Sequence, residues 1–361
     1  MRRLLMLGLA AGLVPPAMAV AQDSAGAATP AVGFTRVVPS LSYAPLTGLL
    51  VGGQFLRVQR VSADPSQRPS VIRASAFVTT KRQLRLATEA DLWRRANRLR
   101  LFAGAEFAIF PSPFFGIGIG TTPEQEERFT PVTIGGQLGA QRQLRPGLFV
   151  AGLVRVRSYE ITRYDSLGVL QDGTIPGSTG ATIAPVELSV AWDTRDNVYS
   201  ARRGVFARVA GAAAFDGVVA STAYRTWEVD ARAYAAATAT TVLALQLRVD
   251  GTGGAPPFTE YAQLGGTRLR GYVDGRYRDR HAVSGQVEVR QHVWGPIAVV
   301  GFGGVGTVLP DFDALSRIAW RGMGGGGVRV MLLPAERLAL RVDVGVGASS
   351  RALTIGVGEA F

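Results

Sequence analysis

Alternation of apolar and polar residues, in segments of about ten residues, is the feature that most constrains this chain. In residues 338–346 every second position is apolar, namely Leu338, Leu340, Val342, Val344 and Val346. The same period of two recurs in residues 182–193, 241–250 and 283–293. Successive side chains of a β-strand point to opposite sides of the sheet, so the pattern predicts strands with one apolar side.

The number and length of these segments predict a membrane barrel. We count roughly sixteen segments, each about as long as a tilted strand needs to be to cross a bilayer. Short links alternate with long links at 111–128, 161–181, 251–281 and 308–318. A soluble β-sandwich also alternates, but segment length and 45 glycines favour a barrel. The predicted fold is all-β: a 16-stranded antiparallel transmembrane β-barrel with a long inserted extracellular loop.

The first 21 residues predict a secretory signal peptide. Arg2 and Arg3 precede the apolar run 4–14, and Ala19-Val20-Ala21 is a small-x-small cleavage site. Cleavage after Ala21 leaves a short N-terminal segment, residues 22–35, and a barrel domain, residues 36–361. No later stretch reaches the roughly 18 apolar residues of a spanning helix. We therefore predict export to the bacterial outer membrane.

The residue types argue against an enzyme. The chain has no cysteine and only two histidines, His281 and His292. Ser284 and Glu288 fall on the same strand side as His292, but Ser284 and His292 lie roughly 27 Å apart along one strand. No histidine pair has the spacing of a metal site. We predict no catalytic residues, no metal and no cofactor, with a lipid-hydrolysing barrel as the lowest alternative.

The most basic stretch of the chain is LGGTRLRGYVDGRYRDR, residues 264–280, with five arginines. Arginine and tyrosine together are typical of a nucleic-acid patch, but export of the chain excludes that partner. Two interpretations stay open together. Residues 276–280 form a solvated external stretch that contacts lipopolysaccharide, and Arg270 turns inward as part of a plug.

Several motifs resemble one known family. Leu269-Arg270-Gly271-Tyr272 resembles the [V/L]-R-G-[F/Y] motif of the BamA/TamA-like outer-membrane proteins, the bacterial surface antigen family. Residues 192–197, WDTRDN, followed by Arg203-Gly204, resemble that family's D-T-R-D-N turn. The ending Gly358-Glu359-Ala360-Phe361 is common there, and Phe361 resembles the aromatic residue of a C-terminal assembly signal.

The resemblance implies a role for the arginine loop. In that family the loop folds into the barrel, and its arginine pairs with acidic residues of the inner wall. This implies a plug motif of Arg270, Gly271 and Tyr272. The family's aspartate aligns with Gly304, so we expect Glu288 as the lumen partner of Arg270, with Asp343 second.

The resemblance also implies a function and its partners. Residues 22–35 leave no room for a POTRA domain, so we expect a short family member. It would aid outer-membrane protein or lipid assembly, or translocation, without enzymatic activity; the alternative is a passive or loop-gated pore. The expected partners are outer-membrane lipids, lipopolysaccharide, and the assembly machinery or a periplasmic protein.

Overall fold

The computed structural model describes residues 33–44, 48–59, 67–164, 168–217, 220–334 and 337–361. The predicted signal peptide lies outside these residues, as does residue range 22–32 of the predicted N-terminal segment. Within the described ranges, no helix is long and apolar enough to cross a membrane.

The described residues form one large sheet of eighteen strands and a separate two-stranded sheet. The strands are β1 (Gly33–Ala44), β2 (Gly48–Gln59), β3 (Ser70–Thr79), β4 (Leu84–Arg94), β5 (Leu99–Ile109), β6 (Ser112–Phe114), β7 (Glu127–Arg145), β8 (Leu148–Tyr164), β9 (Gly180–Ile183), β10 (Val186–Asp193), β11 (Gly204–Ala214), β12 (Tyr224–Ala236), β13 (Thr241–Gly254), β14 (Ala262–Leu264), β15 (Tyr277–Asp279), β16 (His281–Trp294), β17 (Ile297–Leu309), β18 (Arg321–Leu333), β19 (Leu338–Gly347) and β20 (Arg351–Val357). The same described ranges contain three 3-10 helices: η1 (Pro123–Gln125), η2 (Phe258–Glu260) and η3 (Phe312–Ala314).

Every ladder between these strands is antiparallel, and long strands pair with their neighbours in sequence. Short strands interrupt this order: β5 pairs with β7, β8 with β10, and β13 with β16. β6 and β9 are short additions to the ladders of β7 and β8. The predicted all-β, antiparallel architecture is confirmed.

Consecutive connections lie at opposite ends of the sheet. One end, which we call the turn end, carries short connections at 95–98, 146–147, 237–240 and 295–296. The other, the loop end, carries the long connections, including 255–280. This alternation follows from antiparallel pairing of successive strands.

The two sides of the sheet differ in chemistry. Large apolar side chains are exposed on one side, which we call the outer side; Leu138, Leu188 and Leu247 are each 67–70% exposed. Polar and charged side chains alternate with them and face the inner side, against which residues 255–280 pack. An apolar outer side this extensive is unfavourable in water and typical of a barrel in lipid.

The first and last strands do not begin and end at the predicted bounds of the barrel domain, residues 36–361. β1 begins at Gly33, three residues before residue 36. β20 ends at Val357, four residues before the predicted end of the barrel domain at residue 361. Gly358 has a φ of 84°, a left-handed conformation that turns the last residues out of the strand direction.

Candidate functional site

The connection of residues 255–280, which we call the inserted loop, packs into the inner side of the sheet. It contains η2 and the β14–β15 hairpin. Seven of its residues are at most 2% exposed: Phe258, Leu264, Leu269, Arg270, Tyr272, Arg276 and Tyr277. Burial of so many large residues makes this connection part of the core rather than a solvated loop.

Arg270 is a deeply buried charge of the inserted loop, with 2% of the residue exposed. Its Nη1 lies 2.5 Å from Glu288 Oε2 on β16 and 3.1 Å from Asp343 Oδ2 on β19. Its guanidinium carbon lies 3.7 Å from the ring centroid of Phe302. The structure therefore brings Arg270 against both of its expected partners, and the two carboxylates offset the cost of burying a cation.

Further arginines share these two carboxylates. Arg290 Nε lies 2.6 Å from Glu288 Oε1, and Arg329 Nη1 lies 2.6 Å from Asp343 Oδ1. Arg329 also contacts Glu359, with Nε 2.7 Å from Oε2. We call this group the buried charge cluster: Arg270, Glu288, Arg290, Arg329, Asp343 and Glu359. Alternation along β16 places Arg290 on the same side as Glu288, but it does not indicate that Arg290 and Arg329 share carboxylates with Arg270.

Inner-side glycines make room for the inserted loop. A Cβ on Gly345 would lie 2.1 Å from the Arg270 carbonyl oxygen, and one on Gly347 would lie 2.3 Å from the Tyr272 ring. A Cβ on Gly304 would lie 2.7 Å from the Gly285 carbonyl oxygen. A side chain at 304 therefore does not fit. The family resemblance implies an aspartate at this position, and in this chain Asp343 supplies a carboxylate to Arg270 instead.

Gly271 and Tyr272 hold the backbone of the motif. A Cβ on Gly271 would lie 2.7 Å from the Gly347 nitrogen, so this approach to β19 requires glycine. The Tyr272 hydroxyl donates to the Gly322 carbonyl at 3.1 Å and accepts from the Ala348 N–H at 3.0 Å. The three residues of the predicted plug motif thus contact β16, β18 and β19 or the link after it.

A second anchor holds the start of the inserted loop. Glu260 accepts from Arg157 Nη2 on β8 at 2.6 Å and from the Tyr224 hydroxyl on β12 at 3.2 Å. Phe258 is fully buried in an apolar cluster at the loop end, with Phe114, Phe129, Tyr159, Ile161 and Leu170. None of the family motifs in the sequence includes Glu260. The one sequence feature that could have indicated it is its negative charge in a loop rich in arginine.

The expectation of a solvated basic stretch at 276–280 is wrong for two of its arginines. Arg276 is 2% exposed and donates to Thr121 Oγ1 at 2.9 Å and to the Thr121 carbonyl at 2.8 Å. Arg278 is buried beside Phe114 and Phe258, and burial lowers the pKa of its guanidinium to about 10. Contacts with the 111–126 loop, which sequence periodicity does not show, remove both from solvent. Arg280 stays exposed.

Phe361 lies inside the fold. It packs with Ala201, Tyr234 and Ala244, and its carbonyl oxygen accepts from Arg290 Nη2 at 3.0 Å. The proposed role of Phe361 as an assembly signal therefore concerns the chain before it folds, because the folded chain covers this residue.

The residues that superficially suggested an enzyme are not brought together. His292 Nε2 lies 2.9 Å from the Gly295 carbonyl oxygen at the turn end, while Ser284 is buried eight positions earlier on β16. Glu288 forms ion pairs with three arginines, Arg270, Arg290 and Arg329. His281 stacks with Phe312, with ring centroids 4.6 Å apart. Among the described residues, no group of three or more histidine or acidic residues has metal-binding geometry.

An antiparallel sheet with an apolar outer side, a charged inner side and an inserted arginine loop defines an outer-membrane β-barrel protein. The chain belongs to the Omp85 superfamily, whose domain model matches residues 125–309. The BamA/TamA-like resemblance is confirmed at this level, which also places the chain in the bacterial outer membrane.

Solved structures agree on the fold. BamA from Haemophilus ducreyi lacking POTRA domains 1-3 is 10% identical, with a TM-score of 0.59 over 88% of this chain and 67% of that one. CdiB from Acinetobacter baumannii is 11% identical, with a TM-score of 0.55 over 88% of this chain and 56% of that one. The chain thus spans about two thirds of the first structure and just over half of the second. The sequence has no significant match among curated proteins.

Proposed function

We propose that the chain closes into a barrel of sixteen long strands and aids assembly or translocation of outer-membrane proteins or lipids, without enzymatic activity. One observation carries the proposal. Every long strand from β2 to β19 has ladders on both sides, whereas in the described ranges 33–44 and 351–357 no ladder joins β1 to β20. The seam between these two strands is where the barrel opens.

The physical basis is the unpaired edge of a strand. N–H and C=O groups of such an edge pair readily with another strand, which is how β-augmentation recruits an extended segment. β20 has only seven residues, so few hydrogen bonds hold this side of the seam. In this proposal the turn end faces the periplasm. The assembly machinery or a periplasmic partner delivers the client there, and the loop end contacts lipopolysaccharide.

Locking the seam tests this function. The chain has no native cysteine, so Val37→Cys combined in turn with a cysteine at each of residues 351–357 gives single, defined crosslinks. We expect the oxidised pair that crosslinks best to abolish the chain's contribution to outer-membrane assembly, and reduction to restore it. The matched control joins β2 to β3, which are already paired, through Val51→Cys and Val78→Cys. Full function with a locked seam would refute the proposal.

A second candidate, a passive pore, has its own supporting observation. Ion pairs on the inner side of β3–β5 have side-chain exposures of 24–49%; they are Arg73–Glu89, Arg85–Glu106 and Arg100–Asp91. Side chains of the buried charge cluster are at most 7% exposed. Water therefore reaches this part of the inner wall, and a passage there would conduct ions.

Planar-bilayer recording separates the two candidates. Under the leading proposal the intact chain is nearly silent, and deletion of residues 264–280 opens large conductance steps because the plug is removed. If the chain is a pore, the intact chain conducts ions along the exposed inner side of β3–β5, and the deletion changes its conductance little. A heat-induced mobility shift on gels shows that each variant is folded, and Arg270→Ala replaces the deletion if the shortened chain does not fold.

A further inference from the structure

Two neighbouring turns at the turn end carry a group of exposed arginines. β5 and β7 pair Leu99 with Arg142, and the Gln143 N–H donates to the Arg98 carbonyl at 2.8 Å, so the turns after β4 and β7 lie side by side. Five exposed arginines occupy these turns and the strand ends beside them, and we call them the basic rim: Arg94, Arg95, Arg98, Arg142 and Arg145.

The basic rim carries positive charge that no carboxylate neutralises. Residues 94–98 and 142–147 include no acidic residue. Asp91, the nearest acid along β4, forms two hydrogen bonds of 2.9 Å with Arg100. In the described part of the chain, none of the five arginines forms an ion pair; Arg94 donates only to Ser70 Oγ and to the Trp93 carbonyl. The inner-side arginines Arg73, Arg85 and Arg100 each form an ion pair, whereas the described arginines of the basic rim form none. The basic rim is therefore available to an external anion.

The position of the basic rim is the boundary of the apolar outer side. Arg142 follows Ile134 and Leu138 at even spacing on the outer side of β7, and Arg94 follows Leu86 on the outer side of β4. Ile134 and Leu138 are 62% and 67% exposed, so they lie against lipid tails in a membrane. Arg142 lies four residues beyond Leu138 on the same side of β7, so its guanidinium reaches the headgroup layer, where long cationic side chains snorkel.

The backbone of the first turn is held in an uncommon conformation. Arg95, Ala96 and Asn97 have φ values of 51°, 53° and 66°, which only asparagine and glycine adopt at low cost. The Asn97 side-chain oxygen accepts from the Arg68 N–H at 2.8 Å and fixes this turn to the preceding connection. The turn therefore presents Arg95 and Arg98 in a fixed arrangement instead of as a mobile tip.

We infer that the basic rim is a binding site for anionic phospholipid headgroups of the membrane leaflet at the turn end. A phosphodiester accepts from guanidinium groups, and a headgroup without an amine, such as phosphatidylglycerol, leaves the arginines uncontested. A membrane fits better than an acidic protein because two of the five side chains continue the lipid-facing side. The inference rests on the proposed function in one respect: the proposed function places the turn end, and therefore this leaflet, on the periplasmic side.

Lipid retention by the purified full chain tests the inference without any assembly or conductance assay. The chain in detergent is titrated with phosphatidylglycerol or with phosphatidylethanolamine of the same acyl chains, and bound lipids are counted by native mass spectrometry. We expect preferential binding of phosphatidylglycerol, and a loss of about tenfold or more in its affinity for the variant Arg95→Gln/Arg98→Gln/Arg145→Gln. Phosphatidylethanolamine binding should not change.

The matched control removes three charges at the opposite end of the sheet, in Arg225→Gln/Arg280→Gln/Arg317→Gln, and should keep phosphatidylglycerol affinity. Equal loss in both triple variants would show an effect of net charge and overturn the inference. Unchanged lipid binding with loss of crosslinks to an acidic periplasmic protein would overturn it as well. If the rim variant does not fold, the same binding measurement is made on the intact chain at different salt concentrations. The inference requires that its preference for phosphatidylglycerol fall as salt rises from about 0.05 to about 0.5 M.

Discussion

Arg270→Ala is expected to destabilise the folded protein by about 3–5 kcal/mol, the cost of breaking a buried ion pair by removing one partner. After the substitution, the negative charges of Glu288 and Asp343 repel each other without Arg270 between them. Only Arg290, Arg329 and more distant arginines then neutralise these two carboxylates. The substitution also removes the guanidinium from the Phe302 ring. We expect the inserted loop to leave the inner side, because its central anchor is lost while Tyr272 and Glu260 hold only its flanks.

Two measurements check this result. Urea titration of the chain in lipid vesicles gives the free energy of unfolding, and limited proteolysis reports whether residues 264–280 become accessible. Arg268→Ala is the matched control: Arg268 lies two residues earlier, and its Nε is 3.5 Å from Asp250 Oδ2 in a more exposed pair. We expect less than about 1 kcal/mol there. Similar losses for Arg268→Ala and Arg270→Ala would contradict the anchor role of Arg270.

Gly345→Ala is expected to cost about 1–3 kcal/mol and to displace the inserted loop, although it adds one methyl group. The new Cβ would lie 2.1 Å from the Arg270 carbonyl oxygen and 2.6 Å from its carbonyl carbon. These are backbone atoms, so no change of side-chain rotamer relieves the overlap. Proteolysis of the loop and urea titration should change in the same direction as in Arg270→Ala.

Gly301→Ala provides the control for strand propensity, since a Cβ on that glycine of β17 has no atom within 4 Å. It should be neutral or slightly stabilising. The double variant Gly345→Ala/Arg270→Ala supplies the decisive comparison. If the methyl group acts by displacing Arg270, the two losses will be far from additive. Additive losses would mean that Gly345 matters for the strand and not for the loop.

Local chemistry explains which parts of the site the sequence predicted. The motif at 269–272 pointed to Arg270 as an inward anchor, and strand parity pointed to Glu288 because alternate side chains share a side. Asp343 was expected only second, yet it contacts Arg270 from 73 residues away in sequence. Its contribution depends on how β18 and β19 follow β17 around the sheet, which no local pattern contains.

The sequence by itself determined the antiparallel all-β architecture and its apolar outer side, because alternation within a strand is a property of local backbone geometry. Tertiary structure alone decided the burial of Arg276 and Arg278, the inward course of residues 358–361 and the sharing of two carboxylates among several arginines. Each of these depends on which distant segments meet inside the fold. A charge is buried or solvated according to those neighbours, and residue type and spacing do not specify them.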